Sequence, residues 1–361
     1  MVNPTQRLHE LGQSLWLDNI TREMLGDGTL KRYIDELSIT GLTSNPTIFD
    51  KAISGGDAYD EQIVDLHGRG VEPEQIFFEL ALADLRDAAR MFEPTNDRTD
   101  GVDGWVSLEV SPLLADDAKA TIAQVAELHH RADCNVFIKI PGTLAGREAI
   151  EESIFAGTPV NVTLLFSTEH YLGAAEAYMR GLERRIEAGL DPAVPSVASL
   201  FVSRWDVAVA DQVTAELRNR LGVAVAERAY GAYRKLLDSE RWQRLANQGA
   251  RPQRLLFAST GTKDPDASDV LYVEALAAPF TVNTMPDKTL RAFAEHGEVG
   301  EPLAPDGGET DGVLAEFESA GVDVSELAAR LQREGAEAFD ASWNDLLQSI
   351  REKSRKLAAA G

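Results

Sequence analysis

The sequence predicts an α/β protein folded as a TIM (β/α)8 barrel, with extra helices that include a long C-terminal helix packed on the barrel. Eight short β-branched and apolar runs recur along the chain, and helical stretches separate them. Strands that alternate with helices form right-handed βαβ units in a parallel sheet. Eight such units favour a closed barrel over an open sheet, and polar residues near the ends of the runs favour a site at the barrel mouth.

Each element is predicted from its apolar spacing and from the residues that bound it. Asn3 caps the first helix and Pro4 starts it, whereas Pro46 ends the second strand and Pro73 opens a long helix. The predicted strands cover 14–18, 39–45, 104–110, 136–140, 159–166, 194–202, 254–259 and 280–284. The predicted helices cover 1–13, 22–37 with a break at 26–28, 58–67, 73–92, 113–131, 145–155, 168–188, 205–220 with further helix to about 246, 267–276, a helix from 286, 312–320 and 323–357.

A single domain is expected over residues 1–361, since no composition shift or low-complexity tract divides the chain. We expect an N-terminal helix at 1–13, the barrel at 14–296 and a C-terminal helical extension at 297–361. The last predicted helix repeats apolar residues on one face, which must therefore pack on another surface. We interpret it as an appendage that lies on the barrel.

Charge and composition exclude several classes of partner and site. A net charge of −24 argues against binding to nucleic acid or to an anionic membrane, and no apolar run reaches the length of a membrane span. No metal site is predicted, since the six histidines lack ligand spacing. The single cysteine, Cys134, excludes an internal disulfide and suggests a reducing compartment, so we expect a cytoplasmic protein.

The fourth predicted strand contains a lysine, Lys139, between apolar neighbours and just before Pro141-Gly142. Side chains alternate between the two faces of a strand, so Phe137 and Lys139 point into the barrel if Ile138 and Ile140 face the helices. Burial disfavours an ammonium ion and makes the amine available as a nucleophile. A lysine that extends to solvent is the ordinary alternative.

Further polar residues occupy the ends of the other predicted strands. Each has an ordinary explanation when it is taken alone: a helix cap, a turn, an edge charge, buried polar structure or a solvated surface charge. Together they place acids, amides and hydroxyls at consecutive strand ends in matching phase, which packing alone does not explain. These residues are Asp18, Asn45, Glu109, Asn161, Thr163, Ser199, Arg204 and, after the seventh strand, Lys263.

The chemistry that this set suggests is a Schiff base. An amine attacks a ketose carbonyl, and the resulting iminium accepts electrons when an adjacent C–C bond breaks. One acid/base group must move the water of the carbinolamine, and another must take the proton of the hydroxyl next to the broken bond. Glu109, acting through a water near Thr163, suits the first role, and Asp18 suits the second.

In these segments the chain resembles the transaldolase family, and in particular its larger bacterial branch. The matching segments are Leu17-Asp18, Thr43-Ser44-Asn45-Pro46, Ser107-Leu108-Glu109-Val110, Phe137-Ile138-Lys139-Ile140-Pro141, Asn161-Val162-Thr163-Leu164-Leu165-Phe166, Ser199-Leu200-Phe201-Val202-Ser203-Arg204 and Val282-Asn283-Thr284-Met285-Pro286. The resemblance implies a class I aldolase-type barrel in which Lys139 forms a Schiff base with fructose 6-phosphate or sedoheptulose 7-phosphate. It also implies that Asp18 takes the C4 hydroxyl proton, and that Glu109 and Thr163 move water and protons.

The resemblance further implies the residues that bind the phosphorylated sugars. Asn45 and Asn161 would hold the dihydroxyacetone unit, Ser199 and Phe201 would line its pocket, and Arg204 would bind the phosphate. The unit would pass to erythrose 4-phosphate or glyceraldehyde 3-phosphate in the non-oxidative pentose phosphate pathway. No cofactor is implied, and we expect a monomer or a homodimer.

One segment departs from the family pattern. Better-known members place Ser-Phe-Arg after the seventh strand, with the arginine as a second phosphate ligand, whereas this chain has a longer segment from Ser259 to Lys263. Lysine contacts phosphate as a point charge without the fork of arginine, so we expect weaker orientation of the phosphate. Ser259 and Lys263 are nevertheless the predicted binding residues here.

Two other functions remain open at this point. The first is a fructose-6-phosphate aldolase on the same barrel, which releases dihydroxyacetone without an acceptor. That branch is similar to this chain, but it has glutamine at the position of Glu109 and tyrosine at the position of Phe201. A non-catalytic sugar-phosphate-binding barrel is the second alternative, although binding alone requires no buried nucleophile. The residues present at these positions favour the transferase.

Overall fold

The computed structural model describes residues 3–360 and has eight parallel strands in that range. The strands are β1 Ser14–Asp18, β2 Ile39–Thr43, β3 Val106–Glu109, β4 Val136–Pro141, β5 Val160–Leu165, β6 Ser196–Phe201, β7 Gln253–Ala258 and β8 Val282–Met285. Hydrogen bonding joins them in the order β2-β1-β8-β7-β6-β5-β4-β3. All eight lie where the sequence predicts a strand, and the predicted barrel is confirmed.

Helices surround the strands in chain order. The first eight are α1 Pro4–Glu10, α2 Arg22–Gly26, α3 Thr29–Leu37, α4 Pro46–Ser54, α5 Asp60–Gly68, α6 Pro73–Arg98, α7 Ala118–Ala132 and α8 Leu144–Ala156. The others in the described range are α9 Thr168–Glu187, α10 Ser203–Val209, α11 Leu221–Leu237, α12 Glu240–Ala246, α13 Leu271–Ala275, α14 Asp287–His296, α15 Thr310–Ser319 and α16 Val324–Ala360. Within residues 3–360, no helix combines the length and the apolar character that a membrane crossing needs.

The largest differences between the predicted and observed helices are a missed helix, α4, and a break in the helix predicted over 205–220. The sequence prediction missed α4, because Pro46 ends β2 and also occupies the first turn of a helix that Asn45 caps through Ile48 N. The helix predicted over 205–220 ends at Val209, and α11 starts only at Leu221. Asn219 adopts a left-handed φ of 61°, which no α-helix continues through.

The barrel closes between β2 and β3 through backbone contacts that only a glycine permits. Gly41 bridges to Trp105, and Leu42 N donates to Trp105 O at 2.9 Å. A Cβ atom on Gly41 would lie 2.7 Å from both Trp105 O and Trp16 Nε1. Any larger residue would therefore push the two strands apart.

The lower half of the barrel interior is mainly apolar, apart from the buried Arg254 and Asp103 at its amino end, and the upper half is polar. Trp16, Trp105 and Phe137 stack in the lower half, with ring centroids of Trp105 and Phe137 4.5 Å apart. Ile138 and Ile140 pack in the separate core between the sheet and the helices. The alternation that the sequence predicts for β4 is thus present, and it directs Lys139 into the polar upper half.

The C-terminal helix α16 packs on the barrel, as predicted. Trp343 is buried against Phe77 and Phe78, with ring centroids 5.1 and 5.7 Å away. Gln332 Nε2 donates to Leu164 O at 2.9 Å, where β5 has a register shift and Leu164 has a left-handed φ of 58°. The helix is therefore fixed to the strand next to β4.

A buried ion pair closes the amino end of the barrel and leads to a prediction about stability. Arg254 on β7 donates to Asp103 Oδ1 at 2.9 Å, and Ser14 on β1 donates to the other carboxylate oxygen at 2.8 Å. We expect Asp103→Ala to lower the free energy of unfolding by about 3–5 kcal/mol, because it leaves a buried guanidinium unpaired. Denaturation in urea measures the loss.

The matched control is the neighbouring pair of Arg251 and Asp100, whose oxygen and nitrogen lie 2.9 Å apart while the Asp100 side chain is 95% exposed. Asp100→Asn removes the charge and keeps a residue that tolerates the left-handed φ of 51° at this position, so it should cost no more than about 1 kcal/mol. Equal losses from the two substitutions would contradict the assignment of the buried pair to barrel closure.

Candidate active site

Lys139 lies in the upper half of the barrel interior, with its side chain only 7% exposed. Its Nζ donates to Ser44 O at 3.0 Å and to Glu109 Oε2 at 3.2 Å. Glu109 is the register partner of Lys139 on the adjacent strand β3, so the pleat points both side chains to the same side. The predicted nucleophile and one predicted acid are therefore in direct contact.

The carboxyl group of Glu109 is in an unusual electrostatic environment. Burial raises its pKa above the usual range, the Lys139 ammonium lowers it, and the nearby Asp18 carboxylate raises it further. Burial is the largest of these effects, so the net shift is upward. A carboxyl group with a raised pKa exchanges protons closer to neutral pH, which suits an acid/base group.

Asp18 ends β1 on the other side of the interior. Thr43 Oγ1 donates to Asp18 Oδ1 at 2.8 Å, and the hydroxyl oxygens of Thr43 and Thr284 are 2.7 Å apart. Burial raises the pKa of Asp18, while the Thr43 hydrogen bond and then the charges of Lys139 and Lys263 lower it. The carboxylate is thus held by the Thr43 hydroxyl, which the Thr284 hydroxyl contacts in turn, and it faces the same cavity as the lysine.

Asn161 and Ser199 form a hydrogen-bonded layer beside Lys139. Ser199 Oγ donates to Asn161 Oδ1 at 2.7 Å, and Asn161 Nδ2 donates to Ser107 Oγ at 3.3 Å. Asn161 is fully buried and is the register partner of Lys139 on β5. Its amide is therefore already bonded to protein groups, and it supports the cavity from beneath.

Two buried oxygens near the lysine lack a protein partner. Glu109 Oε1 and Thr163 Oγ1 are both inaccessible to solvent, and neither forms a hydrogen bond to another residue in the described range 3–360. They project from β3 and β5, the strands on either side of β4. Buried polar atoms normally find a partner, and a bridging water is a common one.

Above these residues a cavity of about 620 Å³ opens at the carboxyl ends of the strands. It is lined by nine of the eleven residues that the sequence predicts for the site, whereas Glu109 and Asn161 are buried on the strands beside Lys139 and do not line it. The nine are Asp18, Asn45, Lys139, Thr163, Ser199, Phe201, Arg204, Ser259 and Lys263.

Three cations line the rim of this cavity. Arg204 at the start of α10 and Lys263 after β7 were predicted from sequence, and Lys51 on α4 was not. All three are exposed, and none has an ion-pair partner within 4.0 Å among residues 3–360. Because β2 and β6 are four strands apart in an eight-stranded barrel, Lys51 lies across the mouth from Arg204.

Two predicted binding residues also have structural roles. Asn45 Oδ1 accepts from Ile48 N at 3.0 Å and so caps α4, which leaves its amide nitrogen for a ligand. The hydroxyl oxygens of Ser259 and Ser203 are 2.8 Å apart, and Ser259 has a left-handed φ of 57°. Both residues still line the cavity.

Sequence reasoning missed several residues that line or support the cavity. Thr43 and Ser44 belong to the segment Thr43–Pro46 that resembles the family. Thr284 lies two residues after Val282 on β8, so the alternation of side chains along the strand indicates that it faces the interior. Lys51 and Phe339 lie on helices, for which no strand pattern applies. Among residues 3–360, no three histidine, cysteine, aspartate or glutamate side chains stand close enough to hold a metal ion.

A comparison with known protein families shows to which family the chain is related. Residues 15–350 match the family model described as transaldolase/fructose-6-phosphate aldolase.

The chain belongs to this family. A transaldolase of a Parafrankia species is 45% identical, over 98% of this chain and 98% of its own length. A protein named transaldolase 2 from Streptomyces avermitilis is 44% identical over 99% of each chain, and a Mycobacterium bovis transaldolase is 43% identical over 95% of each. The similarity to members of the transaldolase/fructose-6-phosphate aldolase family therefore covers nearly the whole chain, including the barrel and α16.

The unpaired cations at the cavity rim predict an anion site. We expect inorganic phosphate to bind there, and Arg204→Ala to weaken binding by roughly tenfold or more, since a charge-assisted contact is lost. Isothermal titration calorimetry measures the dissociation constant. Arg220→Ala is the control, because Arg220 is a surface arginine already paired with Glu316 at 3.1 Å. An equal effect of the two substitutions would show that the anion binds elsewhere.

Proposed function

We propose that this protein is a transaldolase. It transfers a dihydroxyacetone unit from sedoheptulose 7-phosphate or fructose 6-phosphate to glyceraldehyde 3-phosphate or erythrose 4-phosphate, through a Schiff base on Lys139. The observation that carries the proposal is the buried amine of Lys139, 3.2 Å from Glu109 Oε2 at the floor of a cavity with cations on its rim. Relatives named transaldolase, similar over nearly the whole chain, support it.

In the first step the Lys139 ammonium passes a proton to Glu109, and the amine then attacks the C2 carbonyl of the ketose, with a proton moving from the nitrogen to the C2 oxygen. The carbinolamine that forms loses water to give an iminium, and this loss needs a proton donor. Glu109 suits that role, since burial raises the pKa of its carboxyl group. A water held between Glu109 Oε1 and Thr163 Oγ1 would complete the hydrogen bonding of both buried atoms.

The second step is cleavage of the C3–C4 bond. Asp18 takes the proton of the C4 hydroxyl, the C4 carbonyl forms, and the electrons of the broken bond pass through the iminium to give an enamine on Lys139. The Thr43 hydroxyl keeps the Asp18 carboxylate oriented for this transfer. The enamine carbon then attacks the aldehyde of the acceptor, and the earlier steps run in reverse to release the new ketose.

Substrate binding follows the layout of the cavity. We assign the phosphate to Arg204 and Lys263 at the rim and the dihydroxyacetone unit to the space beside Lys139, since Asn45, Ser199 and Phe201 line the same cavity. Asn161 acts on the dihydroxyacetone unit through Ser199, whose hydroxyl it binds. We place the enzyme in the non-oxidative pentose phosphate pathway and in the cytoplasm, as a monomer or homodimer whose single domain spans the barrel and its C-terminal extension.

An assay with fructose 6-phosphate and erythrose 4-phosphate tests the function. We expect sedoheptulose 7-phosphate and glyceraldehyde 3-phosphate as products, and Lys139→Met should lower kcat by a factor of roughly 10³ or more, since it removes the nucleophile. Lys235→Met changes an exposed lysine on α11 and serves as the control. Formation of free dihydroxyacetone without sedoheptulose 7-phosphate would instead assign the chain to the aldolase activity of its family.

The pKa of Asp18 predicts how the activity depends on pH. Burial raises this pKa, so the base form of Asp18 is lost at a higher pH than for an ordinary aspartate, near 3.9. We expect the acid limb of kcat/KM to lie above that value. The Thr43 hydroxyl lowers the pKa by bonding the carboxylate, so Thr43→Ala should move the acid limb to higher pH.

Thr40→Ala provides the matched control for this pH profile. Thr40 is buried on the same strand, but its hydroxyl faces Leu15 O at 3.4 Å and does not contact Asp18. The acid limb of kcat/KM in Thr40→Ala should coincide with that of the unmodified protein. A limb that stays in place in Thr43→Ala would mean that Asp18 is not the group that titrates.

A further inference from the structure

The C-terminal helix α16 crosses the barrel mouth between two fixed points. At one side Gln332 Nε2 donates to Leu164 O at 2.9 Å on β5. At the other side the hydroxyls of Ser342 and Thr47 are 2.9 Å apart, which attaches the helix to α4 after β2. Ten residues of helix span roughly 15 Å, about the width needed to cross the mouth. The segment between the two points therefore lies over the cavity.

Phe339 is the aromatic residue of that segment, and it lines the catalytic cavity. Its ring centroid lies 5.9 Å from Lys139 Nζ, within the range of a cation–π contact. Its ring also meets that of Phe201 edge-on, with centroids 6.5 Å apart, and Phe201 in turn packs on the buried Phe166 at 5.3 Å. The three rings form an aromatic cover from β5 and β6 to α16, next to the reactive amine.

The proposed function gives this cover a chemical consequence, and the inference rests on that function. After C–C cleavage, the enamine on Lys139 has two fates. It attacks the acceptor aldehyde, which completes the transfer. Alternatively it takes a proton on its nucleophilic carbon to become an iminium; one water then adds to C2, the C–N bond breaks, and free dihydroxyacetone leaves with the Lys139 amine restored. Hydrolysis of the iminium at C2 also ends the transfer route, so the two fates differ in the proton that the enamine carbon takes from solvent.

We propose that Phe339 determines the choice between transfer and release, because its ring excludes solvent from the enamine on Lys139. Phe339 is a specificity-determining residue and takes no part in proton transfer. The helix that carries it is fixed on both sides of the mouth, so the ring does not depend on substrate for its position. An aromatic ring also tolerates the cationic iminium beside it, which a purely aliphatic cover would not stabilise.

The test compares the two fates in the full-length protein. With fructose 6-phosphate alone and with erythrose 4-phosphate added, free dihydroxyacetone and sedoheptulose 7-phosphate are both quantified. Phe339→Ala is expected to raise the ratio of release to transfer by about three- to tenfold, the range set by the loss of one aromatic contact. In D₂O the released dihydroxyacetone should carry one deuterium at the former enamine carbon.

Phe339→Gln is the second variant, because it keeps a long side chain and a good helix former at this position while it admits water. The ratio should rise in this variant too, which decides the outcome if the alanine variant does not fold. Glu337→Gln, an exposed position on the same turn, is the matched control and should leave the ratio unchanged.

The outcomes separate the inference from the function on which it rests. Loss of both products in equal proportion, with the ratio unchanged in Phe339→Ala and Phe339→Gln, would overturn the role of Phe339 while leaving the transaldolase intact. Absence of sedoheptulose 7-phosphate from the unmodified protein would instead refute the proposed function itself.

Discussion

The contact between Lys139 and Glu109 is the interaction on which the candidate site depends. An ammonium ion inside a barrel is costly unless it is paired and hydrogen-bonded, and here Glu109 Oε2 and Ser44 O both accept from it. The same burial raises the pKa of Glu109, which prepares a proton donor next to the nucleophile. One buried pair thus stabilises the lysine and supplies an acid/base group.

Strand phase is what brings this pair together. In β4 the side chain of Phe137 fills the apolar lower half of the barrel, and two residues later Lys139 enters the polar upper half. A shift of one residue would direct Ile138 inward and send the lysine into the helix layer. The ion pair of Arg254 and Asp103 and the close approach at Gly41 hold the barrel closed, and so protect that register.

The sequence was sufficient to predict the strands and most of the residues that line the cavity, because side chains on a strand alternate with a period of two residues. It was insufficient where one residue serves two elements, as Pro46 does in ending β2 and opening α4. The late start of α11 at Leu221 follows the left-handed backbone of Asn219, which no apolar spacing reveals. Lys51 and Phe339 reach the cavity from helices, and only the packing of α16 and α4 brings them there.

Borohydride trapping with fructose 6-phosphate, followed by peptide mass mapping, tests the central claim most directly. Borohydride reduces an iminium to a stable amine, so the carbon skeleton of the bound ketose fragment stays attached to the lysine that formed it. We expect a single adduct on the peptide that contains Lys139, and none after Lys139→Met. An adduct on another lysine, or no adduct while turnover proceeds, would contradict the Schiff-base mechanism.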